Sequence, residues 1–218
     1  MNIAENVKQI LAELPPGVKL VAAAKTRNPQ EILEAVAAGV SIVGENYVQE
    51  AEAAFSVIGN KVAWHFIGHL QRNKVKKAVE LFDMIETVDS LEIAAEIDKR
   101  CRQIGKTMPV LVEINSGREA QKSGVEPEQA AGMIAATAAL PNVRVAGLMT
   151  MGTAGGGAEE LRACFRETKG LFETLREKAI PNTEMKYLSM GMTDSYKIAL
   201  EEGANIIRIG SRIFGARD

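Results

Sequence analysis

The chain has 218 residues, 46% of them hydrophobic and 25% charged, with a formal net charge of -2 and a pI near 5.9. Such values fit a soluble globular chain that is one domain over residues 1–218, with apolar material for one sizeable core. They exclude a general nucleic-acid binder, which would show a basic excess.

Cys101 and Cys164 are the only cysteines. With no CxxC and no metal-ligand spacing, they read as reduced thiols of a cytoplasmic protein, one disulfide being the alternative. The N-terminus lacks the basic start and apolar core of a signal peptide. The longest weakly charged stretch, 130–151, is broken by Pro141 and Arg144, so no membrane span is expected.

Taken in order, Ile3, Val7, Ile10, Leu11 and Leu14 recur at helical spacing until Pro15-Pro16-Gly17 stops the helix. A first strand, KLVAAAK, then runs from Lys19 to Lys25. Asn28 caps the next helix, with Pro29 in its first turn. Ser41–Gly44 is strand two, and a helix runs to Ile58. Val62–Ile67 is strand three, ending in Gly68-His69, and Gln71–Phe82 is a basic amphipathic helix. Met84–Val88 is strand four, followed by a helix to Ile104 capped by Asp89 or Ser90. Pro109–Ile114, Val143–Met149, Met185–Ser189 and Ile206–Ile209 are strands five to eight. Helices are expected over 127–140, 159–178 and 194–202. Strands alternating with helical patterns predict parallel βα units. Eight of them in a chain of this length predict a (β/α)₈ TIM barrel, with a doubly wound open sheet as the rival.

In such a barrel the chemistry collects at the C-terminal strand ends. Lys25 stands there among small apolar neighbours. Lost solvation favours its neutral amine, the form that attacks carbonyls, so Lys25 is the candidate for a Schiff base. The same face receives Asn46, His69, Asn115, Met151, Ser189 with Gly191, and Arg208 with Gly210 and Ser211. Leu188–Thr193 and Arg208–Ser211 each put a glycine and a hydroxyl after a strand, an arrangement able to hold a phosphate through backbone amides. A Schiff-base lysine plus a phosphate cradle suggests pyridoxal 5′-phosphate (PLP). Arg208 facing a pyridine nitrogen would keep that nitrogen neutral and the electron sink weak.

Several other residues read more plainly. His65 and His69 would lie about 13 Å apart on an extended strand, too far to share one zinc. Arg72, Lys74, Lys76 and Lys77 read as a solvated helix face, with RNA contact as the alternative. Lys122 reads as a loop lysine. Cys101, between Arg100 and Arg102, reads as a structural thiol, with a lowered pKa as the alternative.

The motifs VAAAKTR (21–27), GENYVQE (44–50), WHFIGHLQRNK (64–74), IETVDS (85–90), KSG (122–124), GLMTMG (147–152), LSMGMT (188–193) and IRIGSRIFG (207–215) together resemble the YggS/PROSC family of PLP homeostasis proteins. The resemblance spans nearly the whole chain. It implies a single barrel similar to the alanine racemase N-terminal domain, with PLP carried on Lys25 as an internal aldimine. It further implies Arg208 at the pyridine nitrogen, Ser189, Gly210 and Ser211 at the phosphate, and Asn46 near the ring. Two departures stand out. Where the family usually has Ser, a variable residue and Asp after LSMGM, this chain has Thr193-Asp194-Ser195. Its loop Gly152–Gly157 also replaces the usual Ala-Pro, which implies a longer lid.

The resemblance implies a cytoplasmic PLP carrier without turnover, with PLP-dependent apo-enzymes as recipients. The alternative is a PLP-dependent amino-acid racemase, which needs an acid/base on each face of its substrate. Alanine racemase draws the second base from a C-terminal domain and a partner subunit. This chain ends at Asp218, so no such domain is expected, and a monomer is. A PLP-free Schiff-base aldolase and an RNA-binding role through residues 72–77 are the remaining alternatives.

Overall fold

A computed structural model describes residues 2–153 and 155–216. Eight parallel strands close into a barrel in sequence order, with helices between them. The strands are β1 (Lys19–Ala23), β2 (Ile42–Glu45), β3 (Ala63–Phe66), β4 (Met84–Val88), β5 (Met108–Glu113), β6 (Val143–Met149), β7 (Thr183–Ser189) and β8 (Ile206–Ile209). Around them lie α1 (Ile3–Glu13), α2 (Pro29–Ala37), α3 (Val48–Ile58), α4 (Val75–Leu81), α5 (Leu91–Ile104), α6 (Ala130–Ala138), α7 (Ala158–Glu177), α8 (Tyr196–Glu201) and α9 (Ser211–Phe214). The open-sheet alternative is therefore overturned: β1 pairs with β8 as well as with β2, from Lys19↔Ile206 to Ala22↔Ile209.

Most boundaries fall within two residues of the periodicity reading, and β4, β6 and β8 coincide with it. The differences have local causes. β1 stops at Ala23 because Ala24–Arg27 forms a turn, with the Arg27 amide donating to the Ala24 carbonyl at 2.9 Å. The basic segment 71–82 begins as a 3₁₀ turn over Arg72–Lys74 before becoming α4, and no side chain caps its start. Asn28 forms a full capping box with Glu31, and Ser90 caps α5.

Strand alternation divides the barrel interior into two kinds of layer. One is apolar: Val21, Ile42, Ile67 and Ile206 on one side, and Met84, Leu111, Ala146 and Met149 on the other, bridged by Tyr187. The other is polar: His65, Glu86, Glu113, Ser189 and Arg208 are all buried. The opposite faces of the strands pack against the helices in a larger apolar shell that includes Trp64, Phe66 and Phe165. Both cysteines are free and buried, Cys101 within that shell, and burial pushes the Cys101 thiol up to about 11, so the low-pKa reading of Cys101 fails. The charged strip on the 72–77 segment is paired with acids, Arg72 with Glu92 at 2.8 Å and Lys77 with Glu52 at 3.0 Å. Among the described residues no helix is long and apolar enough to cross a membrane.

Gly147 marks the register shift that β6 makes against both β5 and β7. Its φ is +154°, and a Cβ there would overlap the carbonyl of Tyr187. The obstacle is backbone of a central strand and cannot swing aside. Gly147→Ala is expected to lower unfolding free energy by about 3 kcal/mol. Urea denaturation followed by circular dichroism reads this, and an unchanged midpoint would mean that the β6–β7 contact is looser than described.

Candidate functional site

The turn after β1 aims Lys25 into the barrel mouth. Val21 and Ala23 face inward, so the next inward position is Lys25. It lines a cleft of about 220 Å³ shared with Asn46, Arg208, Gly210, Ser211 and Thr193. Thr26, the following residue, has φ +67°, and its amide donates to Oε2 of Glu50 at 2.9 Å. Arg27 reaches the other way and donates to the carbonyls of Gly215 at 2.8 Å and Ala216 at 3.1 Å. That clamp fixes the segment after α9 against the rim.

Arg208 forms the floor and is 3% exposed. Its guanidinium donates to Ser189 Oγ at 2.6 Å and to the Thr150 carbonyl at 2.9 Å. The Ser189 hydroxyl donates onward to Oε2 of Glu86 at 2.6 Å, and the other Glu86 oxygen lies 2.6 Å from Nδ1 of His65. Burial pushes the Glu86 carboxyl up, but the His65 hydrogen bond and the charges of His65 and Arg208 outweigh it and hold the group below its ordinary range. Burial likewise lowers the Arg208 pKa, against the attraction of Glu86 and Glu113. Glu113 is driven up to about 7, mainly by burial and then by Asp89, with Arg208 and Lys122 opposing. The result is a charged, doubly anchored guanidinium that can donate and cannot accept.

The far end of the cleft suits an anion. Ser211 Oγ and Thr193 Oγ1, from the loops after β8 and β7, are 3.1 Å apart. Gly191 turns the β7 loop with φ +91°, where a Cβ would come within 2.6 Å of the Ala199 side chain. Ser195, standing where an acid is usual, accepts the Met192 amide on its hydroxyl at 3.0 Å and so braces the same loop.

Two expected cofactor residues sit elsewhere. Ser189 is completely buried, and its hydroxyl is spent between Glu86 and Arg208; as the last residue of β7 it points into the barrel, and Thr193 supplies the loop hydroxyl instead. His69 is outside the Lys25 cleft. It lies beyond Gly68 in the neighbouring chamber of about 350 Å³, against Asp89 at 3.3 Å and Ser123 at 3.2 Å. Lys122 also belongs to that chamber, tied to Glu119 at 2.7 Å and to the Gly152 carbonyl at 2.8 Å. Asn46 lines both spaces, and Gly68 packs directly on its backbone, where a Cβ would collide. Ala154, in the glycine-rich loop expected as a lid, lies outside the described residues.

The sequence reading missed Glu86, the centre of the buried chain. The available signal was a carboxylate two residues after Met84 in a strand otherwise made for burial, which puts both on the inward face. It also missed Arg27 and the Glu50–Thr26 bond.

The profile of the alanine racemase N-terminal domain matches residues 1–218. Among curated relatives, the pyridoxal phosphate homeostasis protein of Aquifex aeolicus is 36% identical over 100% of this chain and 99% of its own. That of Haemophilus influenzae is 38% identical over 100% and 97%. Among solved structures, PipY of Synechococcus elongatus PCC7942 with PLP bound aligns with a TM-score of 0.90 at 33% identity, over 98% of this chain and 100% of that one. Alanine racemase of Clostridium difficile 630 shares the fold, with a TM-score of 0.81 at 18% identity; this chain spans 57% of it.

The buried acids predict opposite pH effects. Glu86, held below its ordinary value of 4.5, contributes stability above that pH and loses it as the pH falls. Glu45, at the end of β2, is 1% exposed and has an oxygen without a partner among the described residues. Burial, and then Glu50, pushes it from 4.5 to about 8. Between those values the folded state binds more protons than the unfolded one, so stability falls as pH rises. Glu45→Gln, which stays neutral, should differ least from the parent at the acid end and gain on it progressively as pH rises through the interval from 4.5 to about 8. Denaturant midpoints across pH check this; parallel profiles would refute it.

Proposed function

The chain belongs to the family of pyridoxal phosphate homeostasis proteins, on the alanine racemase N-terminal fold, and on that premise we propose that it holds PLP covalently on Lys25 without turnover. It binds PLP and serves PLP homeostasis, as a cytoplasmic monomer of one barrel domain that passes the cofactor to PLP-dependent apo-enzymes.

One observation carries the reading: an amine, a buried guanidinium and a pair of loop hydroxyls share one cleft. The residues present fit the group. Lys25, Arg27 and Arg208 set three basic side chains against one carboxyl, Asp194, among the described residues of the wall, which suits a dianionic phosphate ester. Thr193 and Ser211 offer hydroxyls to the phosphate, and Gly210 leaves room beside the Ala23 carbonyl, where a Cβ would stand 3.0 Å away.

When bound, PLP supplies an aldehyde and an electron sink whose strength depends on protonation of its ring nitrogen. Lys25 would be the nucleophile towards that aldehyde. Arg208, pinned by Ser189 and Thr150, would meet the ring nitrogen as a hydrogen-bond donor and has no acceptor to offer it. The nitrogen would then stay neutral and the sink weak, which suits a carrier or a racemase better than a transaminase. Asn46, on the wall of the same cleft, would border the ring. For a second proton-transfer group the described wall holds only Asp194, which is exposed on the anion loop.

The visible spectrum of purified protein tests this. A yellow band that borohydride bleaches, with the added mass on Lys25 and no label in Lys25→Ala, is expected, together with negligible racemisation of alanine. Protein that stays colourless with added PLP would remove the cofactor assignment. Racemisation at enzymatic rates, lost in Lys25→Ala, would replace the carrier by a racemase.

A further inference from the structure

We propose that Glu50 is a positioning residue for Lys25: its carboxylate holds the peptide between Lys25 and Thr26 in the one orientation that aims the lysine into the cleft. The inference rests on Lys25 being the cofactor lysine. Its physical basis is the turn itself. Ala24 and Arg27 close a four-residue turn by an amide-to-carbonyl bond of 2.9 Å, with Lys25 and Thr26 as the central pair. Thr26 at φ +67° makes this turn resemble type II, in which the third residue is left-handed and is usually glycine.

A β-branched threonine resists that conformation. The relaxed alternative is a type I turn, which differs mainly by a flip of the central peptide and returns the third residue to negative φ. The N–H of that peptide is the Thr26 amide, and it donates to Glu50 at 2.9 Å. A flip would turn the N–H away from Glu50 and carry the Lys25 carbonyl to the opposite side. The bond thus opposes the strain of Thr26, and a charged acceptor makes it stronger than an ordinary amide bond.

The placement of Glu50 supports this use. It lies in the first turn of α3, where a carboxylate is favoured by the free amides and dipole of the helix start. Its neighbour Glu45 is buried and pushed up to about 8, so at neutral pH it does not add a second full negative charge beside Glu50. Local strain next to a functional side chain persists only when its surroundings over-determine it. Here the determinants are Glu50 on one side and the Arg27 clamp on the carbonyls of Gly215 and Ala216 on the other.

The test is a double-mutant cycle at positions 26 and 50, read in two ways. One reading is PLP retention, from the absorbance of trapped cofactor after dialysis. The other needs no cofactor: the pH profile of acetic anhydride labelling at Lys25 in PLP-free protein, quantified by peptide mass spectrometry. Glu50→Ala should weaken PLP retention roughly ten-fold and shift the labelling profile. Glu50→Gln, whose amide oxygen still accepts the Thr26 N–H, should restore most of both. Thr26→Gly adopts positive φ unaided, so adding Glu50→Ala to it should change either reading less than about two-fold. Equal losses in the threonine and glycine backgrounds would overturn the proposal. So would an unshifted labelling profile in folded Glu50→Ala. If the parent protein failed to trap PLP, the cofactor assignment would fall, while the labelling cycle would still decide whether Glu50 sets the lysine.

Discussion

Everything at the mouth of this barrel depends on one buried line of hydrogen bonds, His65 to Glu86 to Ser189 to Arg208. A guanidinium placed inside a protein without counter-charge is costly enough to reject the arrangement that contains it. Here four strands, β3, β4, β7 and β8, each contribute one member, so satisfying Arg208 also fixes the register of half the barrel. The apolar layer of Val21, Ile42, Ile67 and Ile206 adds non-directional burial. It does not by itself choose which way the charged groups point. The polar line does, and it presents the cleft with a floor that donates hydrogen bonds and does not accept them.

At the ring nitrogen of a pyridine cofactor, such a floor would suit a carrier or a racemase better than a transaminase. An aspartate at the same depth would stabilise a ring-bound proton, and with it the extended carbanion-like states that transaminases use. Arginine does the reverse. The investment in Arg208 is large: three hydrogen bonds, two nearby carboxylates and nearly complete burial. A group so firmly set acts as a fixed feature of the electrostatics, and the reactive end of the cleft is left to Lys25 and its turn.

The barrel was legible in the sequence because eight apolar runs alternate with helical stripes, and because Asn28-Pro29 and Ser90 punctuate them in ways that local chemistry explains. Lys25, Arg208, Gly210 and Ser211 were legible as strand-end residues for the same reason. The surroundings of Ser189 and His69 were not legible, because residue order shows which end of a strand a side chain occupies, not which way it faces or what has already claimed its hydrogen bonds. Glu86 was hidden inside a strand taken for core, since a carboxylate there makes sense only once its partners, 21, 103 and 122 residues away along the chain, are known. The Thr26–Glu50 bond was invisible because threonine does not advertise a left-handed turn as glycine would.

The pairing of β1 with β8 has a consequence for how the molecule comes into being. Lys25 leaves the first strand, while Arg208, Gly210 and Ser211 belong to the last strand and the helix after it. The cleft is therefore a seam between the two ends of the chain. During synthesis the lysine emerges early and waits, unformed as a site, until residues some 180 positions later have left the ribosome and closed the ring. Contacts of such long sequence separation are slow to form and form last. A ligand that bridges the seam binds the closed barrel and not the open one, so its occupancy is coupled to ring closure and slows reopening. The Lys25 cleft and the structural lock of the barrel are one and the same place.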